Sequence, residues 1–352
     1  MARFTTLGPG TRLPEASIKI RIRGRFLREA APRPLPFRPG ARALWILGGG
    51  VFLAAALSLR AAESTGASFL KIGVGARAIG MGSAFSAVAD DASAAYWNPA
   101  GLSQLSKREF AAMHTEWFGD IRYDHLAYVQ PAGKFTFAGS AAYLSQGSLE
   151  KRGDNRESQG SFQAADAVGA ISVARPVTPS ASVGATFKLV QQKIDAETAN
   201  GMAVDLGALK QATRNLSVAA TLMNAGPKMR FVDQGYQLPL AVSAGAAYRL
   251  GGRLTLAAQV QQAVYEKRTT VSLGTEYQVM DRISLRTGYL AQTTARAGLA
   301  RGTGDNSQSQ LAKLSGFNMG LGMKISSYSL DYALVPSADL GSSHRLSVSA
   351  RF

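Results

Sequence analysis

Residues 252–260 read GRLTLAAQV and residues 316–325 read GFNMGLGMKI. In the first, Leu254, Leu256, Ala258 and Val260 share one face of an extended chain, with Arg253, Thr255, Ala257 and Gln259 on the other. In the second, Phe317, Met319, Leu321, Met323 and Ile325 oppose Gly316, Asn318, Gly320, Gly322 and Lys324. An every-other-residue pattern marks a strand with one apolar face. It recurs in 181–189, where Ala181, Val183, Ala185, Phe187 and Leu189 stand against Ser182, Gly184, Thr186 and Lys188, and again in 240–250.

A soluble sandwich also alternates, but its strands average about five or six residues and its buried face favours bulky β-branched side chains. Here the segments run to roughly ten residues, and the face opposite the apolar one is small or polar, the weak signature of a barrel in lipid. Lipid requires every backbone amide to be paired, and a closed sheet does this without edges. Segments of this kind fall near 109–118, 122–130, 133–146, 160–175, 180–193, 199–212, 215–225, 237–250, 252–265, 268–279, 281–290, 314–325, 327–335 and 343–352. They predict an all-β fold: an antiparallel transmembrane β-barrel of about 14 strands, the even number usual in bacterial single-chain barrels.

Tight connections at Leu250-Gly251-Gly252-Arg253 and Met280-Asp281-Arg282 read as periplasmic turns, and 147–159, 226–236 and 291–313 as extracellular loops. Tyr123, Tyr128, Tyr143, Tyr248, Tyr265, Tyr277, Tyr289 and Tyr328, with Trp117, fall toward strand borders, as an aromatic girdle would. The chain closes on SHRLSVSARF, with Leu346, Val348, Ala350 and Phe352 on one face. A final strand ending on an aromatic resembles the signal by which the outer-membrane assembly machinery recognises barrels. Leu346, Val348 and Phe352 are its expected carriers.

The net charge of +16 is unevenly spread. Residues 1–62 hold 11 Lys/Arg and 2 acids, and the remaining residues 28 against 21. The body scatters its cations singly through alternating segments, whereas nucleic-acid surfaces cluster them among aromatic and amide side chains, so no nucleic-acid partner is expected. Ala43–Leu59 (ALWILGGGVFLAAALSL) follows Arg38 and Arg42 and is followed by Ala61 and Ala62. A basic region, an apolar core and small residues are read as a cleaved secretory signal. The competing reading, a membrane anchor, is at the short end of the spanning range at 17 residues. The basic, proline-rich stretch upstream cannot build a core, and a true start near residue 35 would account for it. The expected organisation is thus 1–62 as basic extension and signal, 63–108 as a Gly/Ala-rich segment, and 109–352 as the barrel.

Within the middle segment, residues 73–91 read GVGARAIGMGSAFSAVADD and 96–102 read YWNPAGL. Asp90 or Asp91 can accept backbone amides at a helix start, Asn98-Pro99 starts a turn, and Ala100-Gly101 allows close backbone approach. These residues suit a structural role better than a ligand role. The stretch resembles the opening of the PorV/PorQ family, in the wider FadL-like group of fourteen-stranded outer-membrane barrels. Met223-Asn224-Ala225-Gly226-Pro227, Leu238-Pro239 and Gly245-Ala246-Ala247-Tyr248 are similar to it as well. The resemblance implies a hatch folded into the lumen, with Asp90, Asp91, Asn98, Pro99, Ala100 and Gly101 near the periplasmic mouth. It also implies an outer-membrane location and a non-enzymatic role as an accessory of type IX-like secretion or surface attachment. The alternative implied by the wider group is passive transport of a hydrophobic small molecule. The partners expected are outer-membrane lipid and lipopolysaccharide, the barrel assembly machinery, and either secreted cargo proteins or a hydrophobic solute.

Other chemistry is not signalled. The chain has no cysteine, hence no thiolate nucleophile or Cys-ligated metal. Gly75 and Gly80 have phosphate-loop spacing, but Met81-Gly82 stands where Lys and Ser/Thr are needed, and Gly73-x-Gly75 lacks the third glycine of a dinucleotide fingerprint. His114, His125 and His344 are too scattered for a metal centre, and Asp305-Asn306 offers too few oxygens for calcium. No cofactor and no metal is expected. His114 or His125 beside Asp120 or Asp124 is the one pairing an enzymatic barrel could use, and surface turn residues explain it as well. Lys188, Arg249, Arg253, Arg286, Lys324 and Arg345 fall on the non-lipid faces and would line a positively charged lumen.

Overall fold

The computed structural model describes residues 64–117, 120–152, 157–294, 316–336 and 342–352. Ala43–Leu59, the rest of 1–62, most of the 291–313 loop and Asp305-Asn306 lie outside the described residues. Sixteen strands form in chain order: β1 Glu109–Glu116, β2 Ile121–Ala132, β3 Phe135–Arg152, β4 Ser158–Thr178, β5 Ala181–Ile194, β6 Glu197–Gln211, β7 Leu216–Ala225, β8 Met229–Phe231, β9 Gln234–Tyr236, β10 Ala241–Leu250, β11 Leu254–Ala263, β12 Arg268–Met280, β13 Ile283–Thr294, β14 Phe317–Ile325, β15 Tyr328–Pro336 and β16 Ser342–Arg351. Fourteen close into one antiparallel barrel, and β8 and β9 make a separate hairpin in the connection between β7 and β10. Closure runs through β1 and β16, from Glu109 opposite Arg351 to Glu116 opposite His344.

The alternation in the sequence maps onto the two faces of this wall. On β14, Met319, Leu321 and Ile325 are exposed outward, while Asn318 and Gly322 are buried inward. Tyr128, Tyr143, Tyr248, Tyr277, Tyr289 and Tyr328 are exposed on the outside. Tyr123 is not: it is buried facing in, and Trp117 lies against the inward Arg345, so neither belongs to an outer girdle. Leu346, Val348 and Phe352 are outward and exposed.

Six short turns share one end of the barrel with the start of β1 and the end of β16, and the other end holds the remaining connections, most of them longer, with the two-residue β5–β6 turn as an exception. These are the turn end and the loop end below. In the three-residue connection between Leu250 and Leu254, Gly251 and Gly252 both have positive φ, which glycine adopts without strain. Two expected loops are corrected. Residues 147–152 continue β3, with register shifts after Gln146 and Glu150 that absorb the irregular pattern there, and 226–236 contains the β8–β9 hairpin.

The hydrophobic core is the segment before the barrel. Because inward wall positions are mostly Ala, Gly, Ser and Thr, the lumen has room for Met81, Phe85, Val88, Trp97 and Leu102, all buried. Fully burying each large apolar side chain stabilises the insert by about 1.5–3 kcal/mol. This hatch enters at the loop end, where Gly66 N–H donates to Gln237 O at 2.9 Å, and leaves at the turn end, where Arg108 O accepts from Phe352 N at 3.0 Å. It therefore runs the length of the lumen.

Candidate functional site: the hatch and the recesses it separates

The motif glycines and the inward glycines of the wall meet each other. The helix Ala76–Gly80 lies against β13 to β16, and Asn318 on β14 donates through Nδ2 to Ile79 O at 2.9 Å. Gly82 has φ +63° and sits against the backbone of Leu273 and Tyr289, and a Cβ on Gly288 would overlap Gly82 itself. Across the lumen, Asn98-Pro99-Ala100 rests on Gly184 and Gly207. Asn98 is fully buried: its Oδ1 accepts from Ala100 N at 3.1 Å, and its Nδ2 donates to Ser86 O at 2.8 Å. Pro99 opens the 3₁₀ turn Pro99–Gln104, Ala100 is buried, and Gly101 packs on Ala89 too closely for any side chain. Asp91 accepts Ser93 N at 3.0 Å, the capping geometry expected of it, whereas Asp90 does something else.

Asp90 belongs to an ion network centred on Arg77. The Arg77 guanidinium donates through Nη1 to Asp90 at 2.5 Å and Asp91 at 3.0 Å, and through Nε and Nη2 to both oxygens of Glu276 at 2.8 Å. Glu276 also accepts from Arg286 Nε at 2.7 Å, and Arg286 Nη1 reaches Asp331 at 2.7 Å. Arg249 adds a bond to Asp90 at 3.1 Å, and Arg351 joins Asp90 O to Glu109, which in turn accepts from Ala92 N. Burial alone would make the Arg77 cation easier to deprotonate, but Asp90, Glu276 and Asp91 around it raise its proton affinity well above the ordinary value. One hatch cation thus ties the insert to β12, and through it to β13 and β15. Asp90 and Ala92 tie it to β10, β16 and β1.

The expected positive lumen is corrected by these contacts. Besides Arg286 and Arg249, Lys188 pairs with Asp205 on β6 at 2.6 Å. Arg253 and Lys324 stand exposed at the turn end. Arg345 alone of the six is buried with no ion pair among the described residues. His114 Nδ1 does meet Asp124 Oδ1 at 2.6 Å, but both side chains are half exposed on the outer wall, away from the lumen. His125 is buried on the inner side. Sequence reading missed Arg77, Glu109 and Glu276. The available signal was an arginine inside a Gly/Ala-rich stretch expected in a lumen, since a cation buried there needs carboxylates.

At the loop end Glu266 forms a clasp on the hatch, accepting from Thr65 Oγ1 at 2.5 Å and Lys71 Nζ at 2.6 Å, with Arg268 at 2.9 Å. Partial burial pushes the Glu266 carboxyl up, but the bonds from Lys71 and Thr65 and the charges of Lys71 and Arg268 outweigh it and hold it below the ordinary 4.5. A depressed carboxylate stabilises the folded form above its unfolded value and loses that contribution as the pH falls through the folded one. Amides of residues 65–71 should therefore show lower protection, referred to intrinsic exchange at each pH, in acid that protonates the Glu266 carboxylate than at pH 6, with strand protection unchanged. Glu266→Gln should show the lower protection at both pH values. Equal protection of 65–71 at both in the native chain would contradict the clasp.

The hatch divides the lumen. On the turn side lies a polar recess of about 460 Å³ bordered by Arg77, Asp90, Asp91, Glu276 and Arg351. On the loop side lies a recess of about 660 Å³ whose wall mixes apolar Ile72, Ile79, Trp117, Leu290 and Val335 with polar Ser83, Gln292 and Asn318, with Lys71 and Arg345 on its border. Arg345 donates through Nη1 to Gly73 O at 2.7 Å and lies over the Trp117 ring at 5.5 Å, while its Nε is buried without a partner. Thr115, opposite Arg345 in the β1–β16 register, also has a buried hydroxyl without a partner. A cation with no ion pair among the described residues, bordering a recess that is apolar in part, suits a molecule with an apolar body and one anionic group.

No curated protein matches the chain. A family model described as an uncharacterised protein family (UPF0164) matches residues 54–200. That stretch holds the hatch and the first strands. Among solved structures the chain is similar to the Pseudomonas putida toluene transporter TodX, with a TM-score of 0.59 and 15% identity over 79% of this chain and 98% of that one. It is also similar to the CymD monoaromatic hydrocarbon channel, at 0.56 and 13% over 80% and 98%. A Pseudomonas aeruginosa FadL homologue aligns at 0.50 and 12% over 76% and 95%. What these likenesses establish is the fold, a closed, antiparallel, fourteen-stranded barrel like those of the similar structures.

Proposed function

We propose that this chain is an outer-membrane channel that admits a hydrophobic small molecule carrying one acidic group. The observation that carries the reading is the loop-side recess, with Ile72, Ile79, Trp117, Leu290 and Val335 in its wall and, on its border, an arginine that no carboxylate among the described residues neutralises. The outward belt of Leu, Phe, Tyr and Met supports placement in a bilayer, because so much exposed apolar wall is tolerated only against lipid. The similar barrels named as a toluene transporter and a monoaromatic hydrocarbon channel support a hydrophobic solute. In this reading the chain is exported by the 43–59 signal, and the assembly machinery reads Leu346, Val348 and Phe352. The barrel then sits among outer-membrane lipid and lipopolysaccharide with its loops outside. The secretion-accessory role rests only on the resemblance of the 73–102 motif, and no described surface favours it.

The test is equilibrium binding of decanoate and decanol to the purified barrel in detergent, followed by tryptophan quenching with Trp117→Phe as the control. Decanoate should bind, and Arg345→Met should weaken it by about tenfold or more, the worth of a hydrogen bond to a charged group, with decanol unaffected. No quenching by either compound would overturn the channel reading. Equal loss of both on Arg345→Met would remove the anionic group from it.

A further inference from the structure

The charge of the barrel is not shared between its two ends. Among the described residues outside the hatch interior, the loop end carries nine exposed or partly exposed cations and nine acids. The turn end, with the stretch leading into β1, carries eleven cations against one exposed acid, Asp281. Arg249 and Arg351 are held by Asp90 and Glu109, and Arg253 reaches Asp281 at 4.0 Å. Eight remain exposed with no ion pair among the described residues. Nearly all of the positive excess of the described residues is therefore concentrated on one face.

The arrangement is an arc, densest along the β1–β7 half of the rim, with Arg282 and Lys324 on the other half. Lys107 and Lys324 border the turn-side recess, but Arg108, Lys134, Arg175, Lys210, Arg214 and Arg282 follow the rim. They come from the start of β1, the β2–β3 turn, β4, β6, the β6–β7 turn and the β12–β13 turn. Arg175 and Lys210 point outward at the foot of the apolar belt, and Arg175 lies over the outward Phe135 ring at 5.6 Å. A cation whose stem lies on an apolar wall and whose head stands at its edge is placed for a lipid headgroup.

We infer that the turn-end rim is a docking surface for anionic phospholipid headgroups in the leaflet it meets, a proposal that rests on the membrane reading above. Each cation near an anionic surface favours binding by about 1 kcal/mol, or roughly fivefold, before salt screening. Gathered mainly along β1–β7, these cations hold several acidic lipids against that side of the foot of the barrel. They also give the chain a preferred orientation.

The test uses the full processed chain, refolded, stripped of lipid, and offered equal phosphatidylglycerol and phosphatidylcholine in mixed micelles. Retained lipid is counted by mass spectrometry. Phosphatidylglycerol should be retained about fivefold or more over phosphatidylcholine at about 0.1 M salt and approach parity at about 1 M. The set Arg108→Gln, Lys134→Gln, Arg175→Gln, Lys210→Gln, Arg214→Gln and Arg282→Gln should abolish the preference. An equal loss of charge at the loop end, Arg122→Gln, Lys151→Gln, Arg152→Gln, Lys193→Gln, Lys228→Gln and Arg230→Gln, should leave it intact. Heat-modifiable electrophoretic mobility verifies that each variant is a folded barrel. Equal retention of both lipids by the parent chain overturns the proposal, as does loss of preference in the loop-end set. Polyglutamate bound to the parent barrel in phosphatidylcholine discs, and lost in the rim set, would assign the rim to an acidic polypeptide instead. Failure to enter bilayers at all would overturn the membrane reading itself.

Discussion

Arg77→Met should open the barrel to ions while leaving its wall folded. Arg77 is the one hatch cation that meets Asp90, Asp91 and Glu276 together, and all four groups are largely withdrawn from water. Removing one partner of a buried pair typically costs about 3–5 kcal/mol, because the charges left behind are neither solvated nor neutralised. Here Arg286 still faces Glu276 and Arg249 still faces Asp90, so the wall keeps its own pairs and the loss falls on the join between hatch and wall. In planar bilayers the parent chain should be nearly silent, and Arg77→Met should show frequent conducting events with unchanged heat-modifiable mobility. Adding Asp91→Asn should restore part of the quiet state, since Asp91 is the carboxylate left without a cation once Arg77 is gone, and asparagine can still accept from Ser93 N. If Arg77→Met is as silent as the parent, the network does not hold the hatch.

Gly288→Val should unseat the same region by sterics alone. The wall backbone at Gly288 and the hatch backbone at Met81-Gly82 touch without any side chain between them, so a Cβ would collide with main chain and could not be absorbed by a rotamer. Overpacking of a well-filled site costs about 1–3 kcal/mol, and more where backbone must move. Amides of 76–83 should lose hydrogen-exchange protection in this variant. Gly139→Val supplies the contrast, because Gly139 faces outward with open space where its Cβ would be. It should leave those amides protected. Equal effects of the two variants would mean that the hatch is not seated on the wall glycines.

How much of this was legible in the sequence depends on what enforces each feature. Phe317, Met319, Leu321, Met323 and Ile325 were readable as one face because surroundings of opposite polarity on the two sides of a wall act on every residue of a strand. All fourteen barrel strands were found near their true places for that reason. Residues 147–152 were not, since irregular pairing breaks the period where β3 outlasts its simple alternation. Asn98-Pro99 and Asp91 act on backbone two residues away, so their capping geometry could be anticipated. Arg77 and Glu276 lie 199 residues apart and meet only once the hatch is threaded through a wall of known register. The lumen cations were misjudged in the same way. The neutralising partner of Lys188 lies on the neighbouring strand and was invisible until β5 and β6 were aligned.

The central claim is a wall with lipid on one face and a packed hatch on the other. The chain has no cysteine, so single cysteines can be introduced at successive positions from Phe317 to Ile325, spin-labelled, and compared for collision with oxygen and with a water-soluble nickel chelate. Labels at 317, 319, 321 and 323 should be strongly oxygen-accessible in bilayers. Labels at 318, 320 and 322 should be immobilised and shielded from both reagents. A uniform profile, or a period near four residues, would contradict the barrel and everything built on it.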